Sequence, residues 1–202
     1  MINSGLKGNA LPGNSMIEGY VKSRNKEESL HFFYAMPHKN SFTWNMIISG
    51  FVKASKWNVA RKFFNEMPTK NGVAWNSMIR GYAENGHSVE ALRLFKDLKS
   101  GCYGPCHVDM YVLATVFGAC TDLLAFQLGK TIHACIVVDR IKFDPVLGSS
   151  IVNTYGKCGD LVSTSLVLRS QPYPDDFSLS SLISAYSNNG RVADAKRISH
   201  QE

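Results

Sequence analysis

The chain has 202 residues, is 45% hydrophobic and 19% charged, and carries a formal charge of +6 with a pI near 9.1. That apolar fraction supports a continuous core and excludes a disordered chain. No apolar run approaches the roughly 18 residues of a membrane span, and the basic balance favours an anionic partner over a membrane.

In chain order, residues 1–9 read as the tail of an earlier element, with neither an Arg-rich amphipathic helix nor a signal-peptide apolar stretch in Met1 to Ala10. From there a pattern recurs. Asn14-Ser15-Met16-Ile17-Glu18-Gly19-Tyr20 returns as Asn45-Met46-Ile47-Ile48-Ser49-Gly50-Phe51 and as Asn76-Ser77-Met78-Ile79-Arg80-Gly81-Tyr82, at an offset of 31 residues. Apolar residues inside each copy keep helical spacing. A polar break follows, then a second amphipathic helix with core faces Leu30, Phe33 and Met36 in one unit and Ala60, Phe63, Phe64 and Met67 in the next. Pro37 and Pro68 stop these helices, because proline lacks an amide donor and disfavours helix in the residue before it. Farther on, Ser149-Ser150-Ile151-Val152-Asn153-Thr154-Tyr155 and Ser180-Ser181-Leu182-Ile183-Ser184-Ala185-Tyr186 echo the same leading helix.

The units are helical hairpins with boundaries at 10–40, 41–71, 72–109, 110–144 and 145–175 and a partial unit at 176–202. Hairpins at such a period cannot bury their apolar faces alone and must stack. The unit 72–109 is longer, and Cys102-Tyr103-Gly104-Pro105-Cys106 reads as its inserted loop. The chain reads as a piece of a longer array without natural caps.

Trp44-Asn45 through Phe51, Trp75-Asn76 through Tyr82, Ala60 through Pro68 and Ala91-Leu92-Arg93-Leu94-Phe95 carry a resemblance to the pentatricopeptide repeat family of plant organelles. The mixed unit lengths resemble its PLS subclass. Units 10–40, 41–71 and 145–175 look S-type, 72–109 P-type with an insertion, and 110–144 L-type through Phe117-Gly118-Ala119-Cys120 and Leu128-Gly129-Lys130. The resemblance implies an all-α, right-handed superhelical solenoid of helix-turn-helix repeats that binds single-stranded organellar RNA, one base per repeat. It implies a role in C-to-U editing or processing, editing-factor proteins as further partners, and a mitochondrial or chloroplast address, the mitochondrion favoured. It implies no cofactor, no small-molecule substrate and no catalytic residue here.

The family's base-reading positions are the fifth and last residues of each unit. They fall on Asn14 with Asn40, Asn45 with Asn71, Asn76 with Asp109, Ala114 with Asp144, and Ser149 with Asp175; Ser180 opens the next pair. The base-stacking second position falls on Leu11, Phe42, Val73, Tyr111, Val146 and Phe177. By resemblance the order of preference is pyrimidine, pyrimidine, U, any base, G.

Other readings stand beside these. An Asn at a helix start is usually an N-cap; recurrence with a second polar residue at each unit end favours recognition, and the roles are compatible. Trp44, Trp75 and Trp57 read as core, as do the pairs Phe32-Phe33 and Phe63-Phe64. The five cysteines have no disulfide framework and read as reduced thiols. Cys102, Cys106 and His107, joined by His133 and Cys135, make a zinc set only if hairpins bring them together. The deaminase pattern is absent, since His87-Ser88-Val89-Glu90 has the wrong spacing for H-x-E. The rival class is a tetratricopeptide-type scaffold for an acidic peptide, whose period is 34 residues.

Overall fold

A computed structural model describes residue 17 and residues 25–100, 108–141, 144–171 and 174–199. Among the described residues there are eleven α-helices: α1 (Lys26–Ala35), α2 (Ser41–Lys53), α3 (Trp57–Glu66), α4 (Gly72–Ala83), α5 (Ser88–Lys99), α6 (Met110–Asp122), α7 (Phe126–Val138), α8 (Pro145–Lys157), α9 (Leu161–Ser170), α10 (Asp176–Asn188) and α11 (Val192–Ser199). They fall into two compact bodies, one within Met1–Asn85 and Arg93–His107, the other within Gly86–Leu92 and Val108–Glu202. The inserted stretch Cys102 to Cys106 lies outside the described residues.

In the first body α2 packs on its hairpin partner α3 and beside the next leading helix α4. Ile47, Ile48, Phe51, Phe63, Phe64, Met78 and Ile79 fill the space between them. Phe33 meets Trp44 edge-on at 5.0 Å and Phe63 at 5.1 Å, and Phe64 meets Trp75 at 4.8 Å. Trp75 is buried, as expected for core, whereas Trp44 is only half-buried, Trp57 opens α3 half-buried against Tyr82, and Phe32 and Leu30 are also half-buried. Gly81 lets α2 approach closely: a Cβ there would overlap the Val52 side chain.

The second body repeats the plan. Leading helices α6, α8 and α10 lie side by side, each paired with its return helix α7, α9 or α11. Val112, Val116, Phe117, Leu147, Ile151, Val152 and Leu182 are buried between them. Inside this seam the hydroxyls of Thr121 and Thr154 meet at 2.7 Å, so that one donates to the other, and the proton of the accepting hydroxyl goes to its own backbone carbonyl (Phe117 O at 2.9 Å from Thr121, Ser150 O at 2.8 Å from Thr154). Such pairing removes the cost of burying a bare hydroxyl.

Each leading helix ends the same way. Fourteen residues after its start, a residue with positive φ turns the chain into the return helix: Ser55 (56°), Gly86 (80°), Leu124 (49°), Gly159 (82°) and Gly190 (76°). Glycine adopts this conformation freely, whereas a residue with a Cβ does so at a cost. Leu124 is exposed, so its side chain contributes little in return. Leu124→Gly is expected to raise stability by about 0.5 kcal/mol and Gly159→Ala to lower it by about 1 kcal/mol, read as opposite shifts of the urea midpoint.

Candidate nucleic-acid interface

The leading helices begin immediately after Asn40, Asn71, Asp109, Asp144 and Asp175, and each of these residues caps its helix. Asn40 Oδ1 accepts from Thr43 N–H (3.0 Å), Asn71 Oδ1 from Ala74 N–H (3.0 Å), Asp109 Oδ1 from Val112 N–H (2.8 Å), Asp144 Oδ1 from Leu147 N–H (2.7 Å) and Asp175 Oδ1 from Ser178 N–H (2.8 Å). The cap satisfies one of the amides left over at a helix start. The alternative reading of Asn45 and Asn76 as caps is therefore corrected: both sit on the second turn, five residues inside helices that are capped by Asn40 and Asn71. Asn14 and Leu11 lie outside the described residues.

The second residue of every described leading helix is a large apolar side chain in solvent. Phe42, Val73, Tyr111, Val146 and Phe177 are 47 to 64% exposed. The fifth residue lies one turn on, at a spacing of three, and so shares their side of the helix. Asn45 and Asn76 are half-buried, as is Ala114, which has no polar group. Asn45 turns its Oδ1 inward, where that oxygen is buried without a partner. Ser149 is buried and donates its hydroxyl back to Val146 O (3.1 Å), while Ser180 is exposed.

Within the first body the structure sets Asn45 and Phe42 on α2 beside α4, which carries Asn71 and Val73 at its start. Within the second, Tyr111 and Ala114 on α6, Asp144, Val146 and Ser149 at α8, and Asp175, Phe177 and Ser180 at α10 follow one another on adjoining helices. Asn76 belongs to the first body and Asp109 to the second.

His133 and Tyr155 join through Nδ1 and the phenol oxygen at 2.8 Å, between α7 and α8. The other members of the suggested zinc set, Cys102, Cys106 and His107, lie outside the described residues, and no group of three or more metal-ligating side chains is found among the described residues. Cys120, Cys135 and Cys158 are free thiols. Burial, and then the neighbouring Cys158, push Cys120 up to about 12, so it stays protonated and unreactive at neutral pH.

Burial holds the His133 imidazole below its ordinary value of 6.5. A depressed folded value means that the neutral form's stability is present above 6.5 and is lost as pH falls below it. An NMR titration should place the His133 midpoint under 6.5. Melting temperature should fall between pH 7 and pH 5, less steeply in His133→Gln.

Models of pentatricopeptide repeats match residues 14–41, 39–72, 73–102 and 177–198, more than half of the sequence. The chain belongs to the pentatricopeptide repeat family. A mitochondrial pentatricopeptide repeat-containing protein of Arabidopsis thaliana is 46% identical over 88 residues, covering 44% of this chain and 13% of that protein. A chloroplastic one from the same plant is 35% identical over 193 residues, 96% of this chain and 18% of that one. The chain thus spans less than a fifth of the length of either relative. The crystal structure of the pentatricopeptide repeat protein PPR10 from maize superposes with a TM-score of 0.52 at 17% identity, over 97% of this chain and 34% of that one. PPR10 in complex with an 18-nt psaJ RNA element gives 0.55 at 15%, over 98% and 35%. The likeness establishes the repeat-hairpin solenoid fold.

Proposed function

We propose that this chain binds single-stranded RNA along the starts of its leading helices, one base per unit, without performing a chemical step on it. The observation that carries the reading is the row of exposed apolar side chains at one register of five leading helices: Phe42, Val73, Tyr111, Val146 and Phe177. Scattered single apolar residues on a surface need no explanation, but the same exposed position in unit after unit does. Adjoining helices pack about 8–10 Å apart. Two layers of van der Waals contact at about 3.5–4 Å each occupy about 7–8 Å. Within each body a flat base therefore fits between the side chains of adjoining leading helices, with its Watson–Crick edge toward the polar fifth and closing residues. Support also comes from the solved family member that was crystallised with an RNA element.

On this reading Asn45 with Asn71, Asn76 with Asp109, Ala114 with Asp144, and Ser149 with Asp175 serve as base readers, with Asn14–Asn40 before them and Ser180 after. The Ser149 contact requires its hydroxyl to leave Val146. We further assign the array to the PLS subclass and to a longer protein in a plant organelle, mitochondrion or chloroplast, as the names of its relatives suggest. There it would position an RNA site for C-to-U editing or processing by partner proteins.

Selection of bound sequences from a random RNA pool tests this. Enrichment of a short motif with pyrimidines toward its 5′ side, and affinity that falls steeply with salt through counterion release, is the expected result. No enrichment at any salt, with acidic peptides bound instead, would transfer the chain to the peptide-scaffold class.

A further inference from the structure

We propose that Thr43 is a positioning residue that fixes which face of the Asn40 amide a base meets. The inference rests on the reading of each unit's closing residue as a base contact. Asn40 Oδ1 accepts two hydrogen bonds from the same residue, Thr43 N–H at 3.0 Å and Thr43 Oγ1–H at 2.9 Å. Thr43 is fully buried, so its hydroxyl is held in place by the packing around it. An amide oxygen has two acceptor sites, and both are occupied. The amide NH₂ is then turned away from the helix, and Asn40 is exposed. It offers donors only.

Asn71 has the same chemistry and a looser setting. Its Oδ1 accepts from Ala74 N–H at 3.0 Å, and Ala74 has no hydroxyl to add a second bond. Exchanging the oxygen and nitrogen faces by a half-turn of the amide breaks two bonds at Asn40 and the one from Ala74 at Asn71. A hydroxyl at this register is not enough by itself: under Asp175, Ser178 Oγ donates to Gln171 Oε1 at 3.4 Å. Among the described closing residues, the lock is particular to the Asn40–Thr43 pair.

A donor-only amide accommodates a ring nitrogen that accepts, such as cytosine N3, and opposes the N3–H of uracil donor to donor. Freed to turn, the same amide can serve either base. Thr43 therefore sharpens discrimination without touching the RNA, and the unit closed by Asn71 discriminates less.

The test uses the full chain and an oligoribonucleotide from the selected pool, made with cytosine or uracil at the nucleotide whose preference Asn40→Asp alters. Thr43→Val should reduce the cytosine-to-uracil affinity ratio at that nucleotide about fivefold or more, the low end of what one good base contact discriminates. Ratios at neighbouring nucleotides should hold, and Thr43→Ser should keep the wild-type ratio. Thr43→Ala, which puts at this register the residue that α4 carries, should lower the ratio as Thr43→Val does. An unchanged ratio in Thr43→Val, in a protein that melts normally and still responds to Asn40→Asp, overturns the proposal and leaves the RNA reading in place. If Thr43→Val fails to fold, an unchanged ratio in Thr43→Ala overturns it equally. If Asn40→Asp alters no nucleotide, the closing residue is not a reader and both inferences fall.

Discussion

Tyr111→Ala combined with Phe177→Ala is expected to weaken single-stranded RNA binding by roughly 2–6 kcal/mol, because each stacked base contributes about 1–3 kcal/mol. The two side chains stand on α6 and α10 with α8 between them, and substitutions at separated sites add. Both rings are more than half exposed, so their removal should leave stability within about 0.5 kcal/mol. That pairing of effects distinguishes a binding residue from a core residue. Trp75, one helix position from Asn76 and fully buried, should behave in the opposite way: Trp75→Ala costs about 3–5 kcal/mol of folding free energy. Anisotropy of a labelled RNA together with thermal melting separates the cases. RNA affinity equal to wild type in a double mutant that melts normally would remove the stacking assignment for both positions.

The units were legible in the sequence because their apolar residues repeat in register, and a core is built from such repetition. The capping pattern was only partly legible. Asn45 and Asn76 precede the clearest apolar run, and so each reads as a possible helix start. The true start is hidden in Ser41-Phe42-Thr43-Trp44, a first turn with a buried Thr and an exposed Phe. Periodicity assigns apolar residues to a core and cannot tell that Phe42, Val73 or Tyr111 faces water. The left-handed turn was visible as glycine at Gly86, Gly159 and Gly190 but not at Ser55 or Leu124, where stacking of the hairpins imposes a conformation that the residue resists. The pair Gly148 and Gln171 shows the same limit. Trp44 and Met67 hold these places in unit 41–71, whereas here a buried amide lies against the glycine, at 2.7 Å from the point where a Cβ would stand. No single-position rule anticipates that exchange.

Because the closing residue both caps a helix and faces the proposed base, truncating it cannot separate the two roles, whereas an isosteric exchange can. Asp175→Ala should lose about 1 kcal/mol of stability with the bond to Ser178 N–H, and the helix start loses its negative charge as well. Asp175→Asn keeps a capping oxygen and should melt within about 0.5 kcal/mol of wild type. On RNA the two differ in kind. A carboxylate can accept from the N1–H of guanine and an amide NH₂ cannot, while adenine N1 accepts from the amide. The Asn variant should therefore shift the preference at that nucleotide from guanine toward adenine, by a ratio corresponding to about 1–3 kcal/mol. Removing a negative charge beside a polyanion also raises affinity for every RNA, an effect that salt screens. The ratio between two probes at fixed salt, and not the affinity for one, is accordingly the quantity to measure. Equal ratios in wild type and Asp175→Asn, beside a destabilised Asp175→Ala, would make Asp175 a cap and nothing more. A moved ratio in a protein of unchanged stability would make it a reader whose capping bond holds the second carboxylate oxygen toward the base.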